Sequence, residues 1–192
     1  MSDRRVEILN VAMEIFAERG VKATTVREIG NQAGILSGSL YHHFGSKLDI
    51  VDAILSEFCD SILEHYKRIA TSDASAVDRL RMLARYAFSL VEDQPYALTM
   101  FYNEGRQLVA TEPRFSYLAD FDHRIERHWT TLIKAGINDD ELRGDVDPKL
   151  VYRIVRDSIG GTVYWFRPSR SRTIEDVADD FIDLLLQGLL AR

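Results

Sequence analysis

The chain has 192 residues, with 24 Lys and Arg against 30 Asp and Glu, for a formal net charge of −6 at pH 7. Such an acidic chain is no nonspecific nucleic-acid coat, because that kind of binding is driven by phosphate neutralisation. No apolar run approaches the about 18 residues that cross a bilayer, so no membrane partner is expected; the single Cys59 excludes an internal disulfide and fits a reducing cytoplasm.

At this length the chain can bury a substantial core in one or two domains. Met1-Ser2-Asp3-Arg4-Arg5 leads straight into an amphipathic helix with acidic residues, so no signal peptide is expected. In that helix Ile8, Leu9, Ala12, Met13 and Phe16 form a one-sided stripe, and Glu18-Arg19-Gly20 ends it. Thr25 then caps a second helix, and Glu28 three residues on completes a capping-box pattern. Val26, Ile29 and Ala33 share its apolar face, and Gly34 suits the left-handed turn that stops it. A third helix is read over Ser37 to Phe44, with Leu40 and Phe44 pointing the same way. At about 100° per residue, Gly38, Ser39 and His42 face away from that pair, with Tyr41 and His43 on the flanks. Three such helices can bury one core of Ile8, Leu9, Ala12, Phe16, Val26, Ile29, Ala33, Ile35, Leu40 and Phe44. Small and hydrogen-bonding residues outside, anchors inside, suit a helix laid in a DNA major groove. Spacing alone equally allows an ordinary surface helix.

The rest reads as helices separated by clear punctuation. Lys47 to about Ala70 carries a long stripe from Ile50 to Ile69, broken by Thr71-Ser72-Asp73. Ser75 caps the next helix, with Leu80, Leu83, Ala87, Phe88 and Val91 inside, and Pro95 suits the first turn of another. Thr111-Glu112-Pro113 precedes a helix from about Phe115 to Ala135, and a polar loop is expected over Gly136 to Asp145. Asp147-Pro148 opens a helix running to Trp165, and Thr173 caps a last one. No segment alternates at period two long enough to argue a strand, so the chain is all-α with about nine helices. Leu184-Leu185-Leu186 with Leu189-Leu190 is apolar nearly all round, which calls for burial on more than one side, either in a dimer or within one chain. Gly160-Gly161 in the penultimate helix is costly there, and fits close helix approach, room for a ligand, or a simple break.

Catalytic and metal chemistry finds little purchase. His42-His43 diverge by about 100° on a helix and cannot easily share one ion. Glu64-His65, His123 and His128 are the remaining constellation for a metal sensor. No nucleophile elbow, phosphate loop or HExxH helix is present. No enzyme activity, catalytic residue, metal or cofactor is therefore expected. A purely structural dimerisation protein is the other class, but it has no use for the Ser39, Tyr41, His42 and Lys47 surface.

Phe16-Ala17-Glu18-Arg19-Gly20, Thr24-Thr25-Val26-Arg27-Glu28-Ile29, Ala33-Gly34-Ile35, Gly38-Ser39-Leu40-Tyr41-His42-His43-Phe44 and Ser46-Lys47 jointly resemble the N-terminal signature of TetR-family transcriptional regulators, over roughly the first quarter of the chain. Gly30 stands where that family usually has Ala, and Leu36 where a capping Ser is common, so the cap shifts to Ser37 on this reading. The resemblance implies a helix-turn-helix DNA-binding domain over 1–46 and a helical effector-binding and dimerisation domain over 47–192. It implies a cytoplasmic, homodimeric repressor, paired through its last two helices, that holds a palindromic double-stranded DNA operator and is released by a small hydrophobic effector. Thr25, Tyr41, His42 and Lys47 match positions that touch phosphates; Arg27, Ser37, Gly38 and Ser39 match positions near base edges. Arg27 suits guanine readout, against pairing with a nearby glutamate, and Tyr41 has a packing role over Leu40 as its alternative. The charge pattern agrees: in the first fifty residues Arg4, Arg5, Arg19, Lys22, Arg27 and Lys47 balance Asp3, Glu7, Glu14, Glu18, Glu28 and Asp49, leaving the −6 to the body. That acidic body would repel DNA and help aim the head.

In the body, candidate effector-lining residues are Phe58, Ile62, Tyr66, Tyr86, Met100, Phe101, Tyr102, Trp129, Tyr152 and Trp165, each with plain core as its alternative. Arg106 and Arg156 could meet an anionic group on the effector, or pair with Glu104 and Asp157. A narrower resemblance joins Ile35 to Phe44, Pro113-Arg114-Phe115-Ser116-Tyr117, Leu150-Val151-Tyr152-Arg153 and Arg156-Asp157 to a branch of the family, the actinobacterial repressors of cholesterol ring catabolism. It implies a related operator and an acyl-CoA-like effector, a thioester of a steroid-ring fragment in that branch. Gly160, Gly161 and Tyr164 depart from the bulkier, more basic side chains of the branch, where ligand is expected.

Overall fold

The computed structural model describes residues 3–169 and 171–189. Among them are nine α-helices: α1 (Asp3–Arg19), α2 (Val26–Gln32), α3 (Ser37–Tyr41), α4 (Lys47–Ala70), α5 (Ala76–Asp93), α6 (Pro95–Thr111), α7 (Tyr117–Asn138), α8 (Pro148–Trp165) and α9 (Ile174–Leu189). A 3-10 turn at Pro113–Phe115 precedes α7, and an isolated bridge pairs Ser169 with Arg172. No described helix is long and apolar enough to cross a membrane.

The helix starts follow their caps. Thr25 and Glu28 form a full capping box: the Thr25 hydroxyl accepts from the Glu28 N–H at 3.2 Å, and the Glu28 carboxylate accepts from the Thr25 N–H at 2.7 Å. Ser75 accepts from the Asp78 N–H at 3.1 Å, and Asp147 from the Lys149 N–H at 2.9 Å beside Pro148. Thr173 and Asp176 repeat the reciprocal arrangement at the start of α9. Only α3 departs. Its N-cap is Leu36, without a side-chain cap, and the helix stops at Tyr41 rather than Phe44. The chain then turns so that Phe44 enters the core and Ser46 accepts from the Asp49 N–H at 3.2 Å, opening α4.

The chain divides into two compact units. The first, Met1–Ser61 with Tyr96–Leu118, holds α1 to α3, the first part of α4, and α6. Ile8, Leu9, Ala12, Phe16, Ile29, Ala33, Leu40 and Phe44 are buried there, as the spacing required. Val26 and Ile35 are only half-buried, because each sits where a short helix begins; Ile15, which the stripe omitted, is buried instead. The second unit, Ile62–Pro95 with Ala119–Arg192, packs α5 against α8 and α9. Leu80, Leu83, Ala84, Ala87 and Phe88 of α5 are buried, as are Val177, Ala178, Ile182 and Leu186 of α9. The Phe88 and Phe181 rings lie 5.2 Å apart, and Arg81–Asp183 at 2.8 Å and Arg85–Asp179 at 2.6 Å flank the seam. Pairs this exposed contribute to register more than to stability.

One expectation about the body changes, and two open alternatives fall. Gly136 is not the start of a loop, because α7 continues through it to Asn138. A Cβ at Gly136 would stand 2.9 Å from Leu142 Cδ1 and 3.0 Å from Leu142 Cγ, so the glycine admits a buried leucine rather than ending the helix. Gly160-Gly161 does not break α8, which runs unbroken to Trp165. Leu186 and Leu189 are buried but Leu184 is 74% exposed, so α9 is not enclosed within this one chain; the Leu190 side chain lies outside the described residues. Gly136→Ala should lower the unfolding free energy in urea by about 1–3 kcal/mol despite the better helix former, through overpacking against Leu142. An unchanged or raised midpoint would show that Leu142 moves aside freely.

Candidate nucleic-acid interface

The helix-turn-helix is built from two helices too short to persist alone, α2 and the five-residue α3. Gly34, at φ +65°, makes the turn between them with its carbonyl toward α1. Leu40 is 0% exposed and Phe44 3%, which fixes the rotation of α3. Gly38, Ser39, Tyr41 and His42 are then exposed, as are Thr25 and Arg27 on α2. The Ser37 side chain lies outside the described residues. Tyr41 is 54% exposed, so its ring is presented to solvent rather than packed as a lid over Leu40. Arg27 is exposed, while the adjacent Glu28 is engaged by Thr25 and lies 3.7 Å from Arg19. The Thr25 N–H and hydroxyl hold the Glu28 carboxyl below the usual carboxylate range, keeping the cap charged and closed. Gly38 has nothing within 4 Å of where a Cβ would be, so no protein neighbour requires a glycine there.

Charged side chains from outside the motif hold its backbone. Arg5 donates to the His43 carbonyl at 3.0 Å and lies 4.1 Å over the Phe44 ring. Arg4 reaches the Gly34 carbonyl at 3.4 Å. Lys47 donates to the carbonyls of Val21 and Thr24, each at 2.6 Å, so two of its three protons serve the α1–α2 connection. On α6, Glu104 accepts from the Val21 N–H at 3.1 Å, and Gly20 at φ +81° leaves it room: a Cβ there would lie 2.8 Å from Glu104 Oε1. Arg114 pairs with Asp49 at 2.7 Å and Asp52 at 3.4 Å, tying the 3-10 turn to the first turns of α4. Sequence reasoning missed Arg4, Arg5 and Glu104 as positioning groups. The two arginines lay in view as paired cations at the start of α1; Glu104, more than eighty positions from Val21, gave no signal.

The body candidates fall in both units. In the first unit the rings of Phe58 and Phe101 are 6.0 Å apart, and those of Phe101 and Tyr102 5.7 Å; Met100 is buried and Arg106 exposed. In the second, Trp129 Nε1 donates to the Tyr66 hydroxyl at 3.3 Å, and the Tyr66 ring meets Tyr86 and His128 edge-on. His65 stacks on Tyr86 at 3.6 Å. Burial pushes both His65 and His128 down from the ordinary histidine range, with nearby arginines adding to it. Ile62 and Tyr152 are buried, and Arg156 pairs with Asp122 at 3.4 Å. Trp165 is 60% exposed. An open cavity of about 540 Å³ in this unit is lined instead by Val91, Glu92, Pro95, Val163, Phe166, Arg167 and Pro168. No group of three or more His, Cys, Asp or Glu among the described residues is placed to hold a metal ion.

Residues 8–54 match the family described as bacterial regulatory proteins, tetR family, and residues 73–189 the tetracyclin repressor-like C-terminal domain. The chain belongs to the TetR family. It is 39% identical to the HTH-type transcriptional repressor KstR2 of Rhodococcus jostii over 98% of this chain and 92% of that one. KstR2 of Mycobacterium tuberculosis is likewise 39% identical, over 98% of this chain and 94% of its own. The solved ketosteroid transcriptional regulator KstR2 of Mycobacterium tuberculosis superposes with a TM-score of 0.95 at 38% identity, covering 100% of this chain and 97% of that chain. AibR, solved in complex with isovaleryl coenzyme A and operator DNA, shares the fold at 22% identity and TM-score 0.85, covering 96% and 98%. The chain is thus a TetR-type DNA-binding transcriptional repressor, all-α, with its helix-turn-helix at α2 and α3.

Because Gly38 is open on the protein side, Gly38→Ala should raise the melting temperature of the free repressor by a few degrees. The same methyl should weaken specific DNA binding about fivefold or more, by standing between α3 and the bases. Fluorescence anisotropy beside a melting curve separates the effects, and unchanged affinity would place Gly38 away from DNA.

Proposed function

We propose that Gly38, Ser39, Tyr41 and His42 of α3, with Ser37 and with Thr25 and Arg27 of α2, form the operator-reading surface of residues 1–46, and that residues 47–192 bind the effector and dimerise. The observation that carries this reading is the exposed polar row on α3 opposite buried Leu40 and Phe44. Tyr41 and His42 offer hydrogen bonds to phosphates, and Thr25, whose N–H and hydroxyl proton already go to the Glu28 carboxylate, offers one by exchanging that partner; Arg27 offers a fork suited to guanine O6 and N7. Lys47 contributes its third proton and its charge, since two protons already hold the α1–α2 connection.

The dimer reading is supported by large apolar side chains left exposed on the last two helices: Leu150 at 54%, Ile154 at 49%, Tyr164 at 59%, Trp165 at 60% and Leu184 at 74%. Gly161, also on α8, has nothing within 4 Å of a notional Cβ, which leaves that helix open to close approach. A twofold pair would present its heads to a palindromic operator at half-sites about 34–36 Å apart. The net charge of −6 supports aimed, sequence-specific binding in a cytoplasmic setting over broad adhesion to DNA.

The effector in this reading is a CoA thioester carrying a hydrophobic, steroid-derived acyl group. It is supported by the 39% identity to KstR2, whose solved relative is named a ketosteroid regulator, and by the aromatic groups around Phe101 and Tyr66. In the first unit Phe58, Phe101 and Tyr102 offer apolar surface and Arg106 a charge for an anionic group; in the second Ile62, Tyr66, Tyr86, Trp129, Tyr152 and Trp165 offer apolar surface and Arg156 a charge. Ligand favours a conformation whose heads no longer match the half-site spacing, and weakens operator affinity by its differential binding free energy.

A gel shift on DNA from upstream of the protein's own gene, against unrelated DNA at fixed salt, should give a specific complex. Tyr41→Ala should lose that complex while sizing still shows a dimer; normal affinity in the folded variant would remove Tyr41 from the interface. Steroid-ring CoA thioesters titrated into the wild-type complex should release the DNA where free coenzyme A does not. Release by neither, with the complex intact, would rule out this effector class.

A further inference from the structure

At 81%, Leu36 is the most exposed large apolar side chain among the described residues. It holds the N-cap of α3 and makes no side-chain cap. A serine, threonine or asparagine here would both cap the helix and suit water better, so the leucine is unfavourable twice over in the free protein. Its orientation is set by backbone. A helical residue four before Leu40 would share the buried face of Leu40, but Leu36 is extended at φ −67° and ψ 142°, which turns it outward. Ile35 beside it is half-buried and takes the inward direction. The segment has little freedom to rearrange: the Ile35 N–H donates to the Gly30 carbonyl at 2.9 Å, and the Leu36 carbonyl accepts from the N–H groups of Ser39 and Leu40.

Exposed Gly38 and Ser39 follow immediately on the same short element, so Leu36 is an apolar group among readers that hydrogen-bond or leave space. A lone leucine in such polar company is too small a patch to dock a protein, unlike the larger set on α8 and α9. The major groove holds one apolar feature, the thymine C5-methyl, which distinguishes thymine from cytosine by contact alone. We propose that Leu36 is a specificity residue, whose side chain packs on the C5-methyl of a thymine in each operator half-site. The proposal rests on the reading that α3 enters the major groove. It extends that reading to a residue that neither a hydrogen-bond inventory nor the position's common capping role would select.

The test uses operator DNA recovered by the full-length wild-type protein from its own genomic fragments. Each thymine is replaced in turn by uracil, which removes only the C5-methyl. Wild-type affinity should fall about three- to tenfold at one thymine per half-site. Leu36→Ser and Leu36→Ala should bind the all-thymine operator more weakly by a similar factor and show no further loss from uracil at that position. Leu36→Ser should melt no lower than wild type, since it gains a cap. Indifference of the wild type to every uracil, or an unaltered uracil penalty in Leu36→Ala, would overturn the proposal while leaving DNA recognition intact. Failure of the wild type to recover any preferred fragment would instead bring down the reading of α3 and the role of Leu36 with it.

Discussion

A five-residue helix contains barely more than one turn, and one turn cannot maintain itself in water. The reading surface of this repressor therefore depends on burial of Leu40 and Phe44, the two side chains that fasten α3 to the first compact unit. Burying a leucine or a phenylalanine contributes about 1.5–3 kcal/mol. That is enough to set the rotation of α3, but the backbone on either side still has unsatisfied polar groups. Arg4, Arg5, Lys47 and Glu104 meet several of these with charge-assisted bonds to Gly34, His43, Val21, Thr24 and the Val21 N–H. Ionised groups thus position the motif and leave the row from Gly38 to His42 facing outward.

That division of labour bears on charge. The first fifty residues carry as many cations as anions, and several of those cations are already engaged with backbone or ring. Little diffuse positive field is left to hold arbitrary DNA, and the remainder of the chain is acidic. In the proposed reading, recognition comes from shape and from specific contacts: the fork of Arg27, the hydroxyls of Ser39 and Tyr41, and the open backbone at Gly38. In the second unit the acidic surface has a different use. Asp179 and Asp183 pair with Arg85 and Arg81 across the α5–α9 seam, where a buried row from Phe88 to Ile182 supplies the cohesion.

Local signals were legible wherever one side chain answers its own backbone. Thr25 with Glu28, Ser75, Asp147 with Pro148, and Thr173 each announce a helix start, and each start is found. The apolar stripes of α1, α2 and α3 give their buried faces for the same reason, since helical period alone decides which residues share a side. Gly136 misled because glycine has two uses. It ends helices through positive φ, and it also yields space to a neighbour, here Leu142, which only the packed structure brings beside it. Leu184 was open in another way: the leucine cluster calls for burial either in a dimer or within one chain, and the single chain leaves Leu184 exposed. The effector candidates separate similarly, with Tyr66, Tyr86 and Trp129 gathered in one unit and Phe58, Phe101 and Tyr102 in the other.

The sequence by itself determined the all-α class, the helix order, the turn at Gly34, and the outward row from Gly38 to His42. Each of these follows from spacing, caps and a glycine's backbone freedom, which are properties of neighbouring residues. Tertiary structure decided what holds that row in place. Glu104 reaches Val21, Arg5 reaches His43 and Phe44, and Arg114 reaches Asp49 and Asp52, all across separations at which no periodicity survives. It also decided that Leu36 points outward, because an extended N-cap rather than a helical turn precedes Leu40. Long-range contacts and single backbone angles are set by the whole fold, so the parts of the site that depend on them became legible only with the fold.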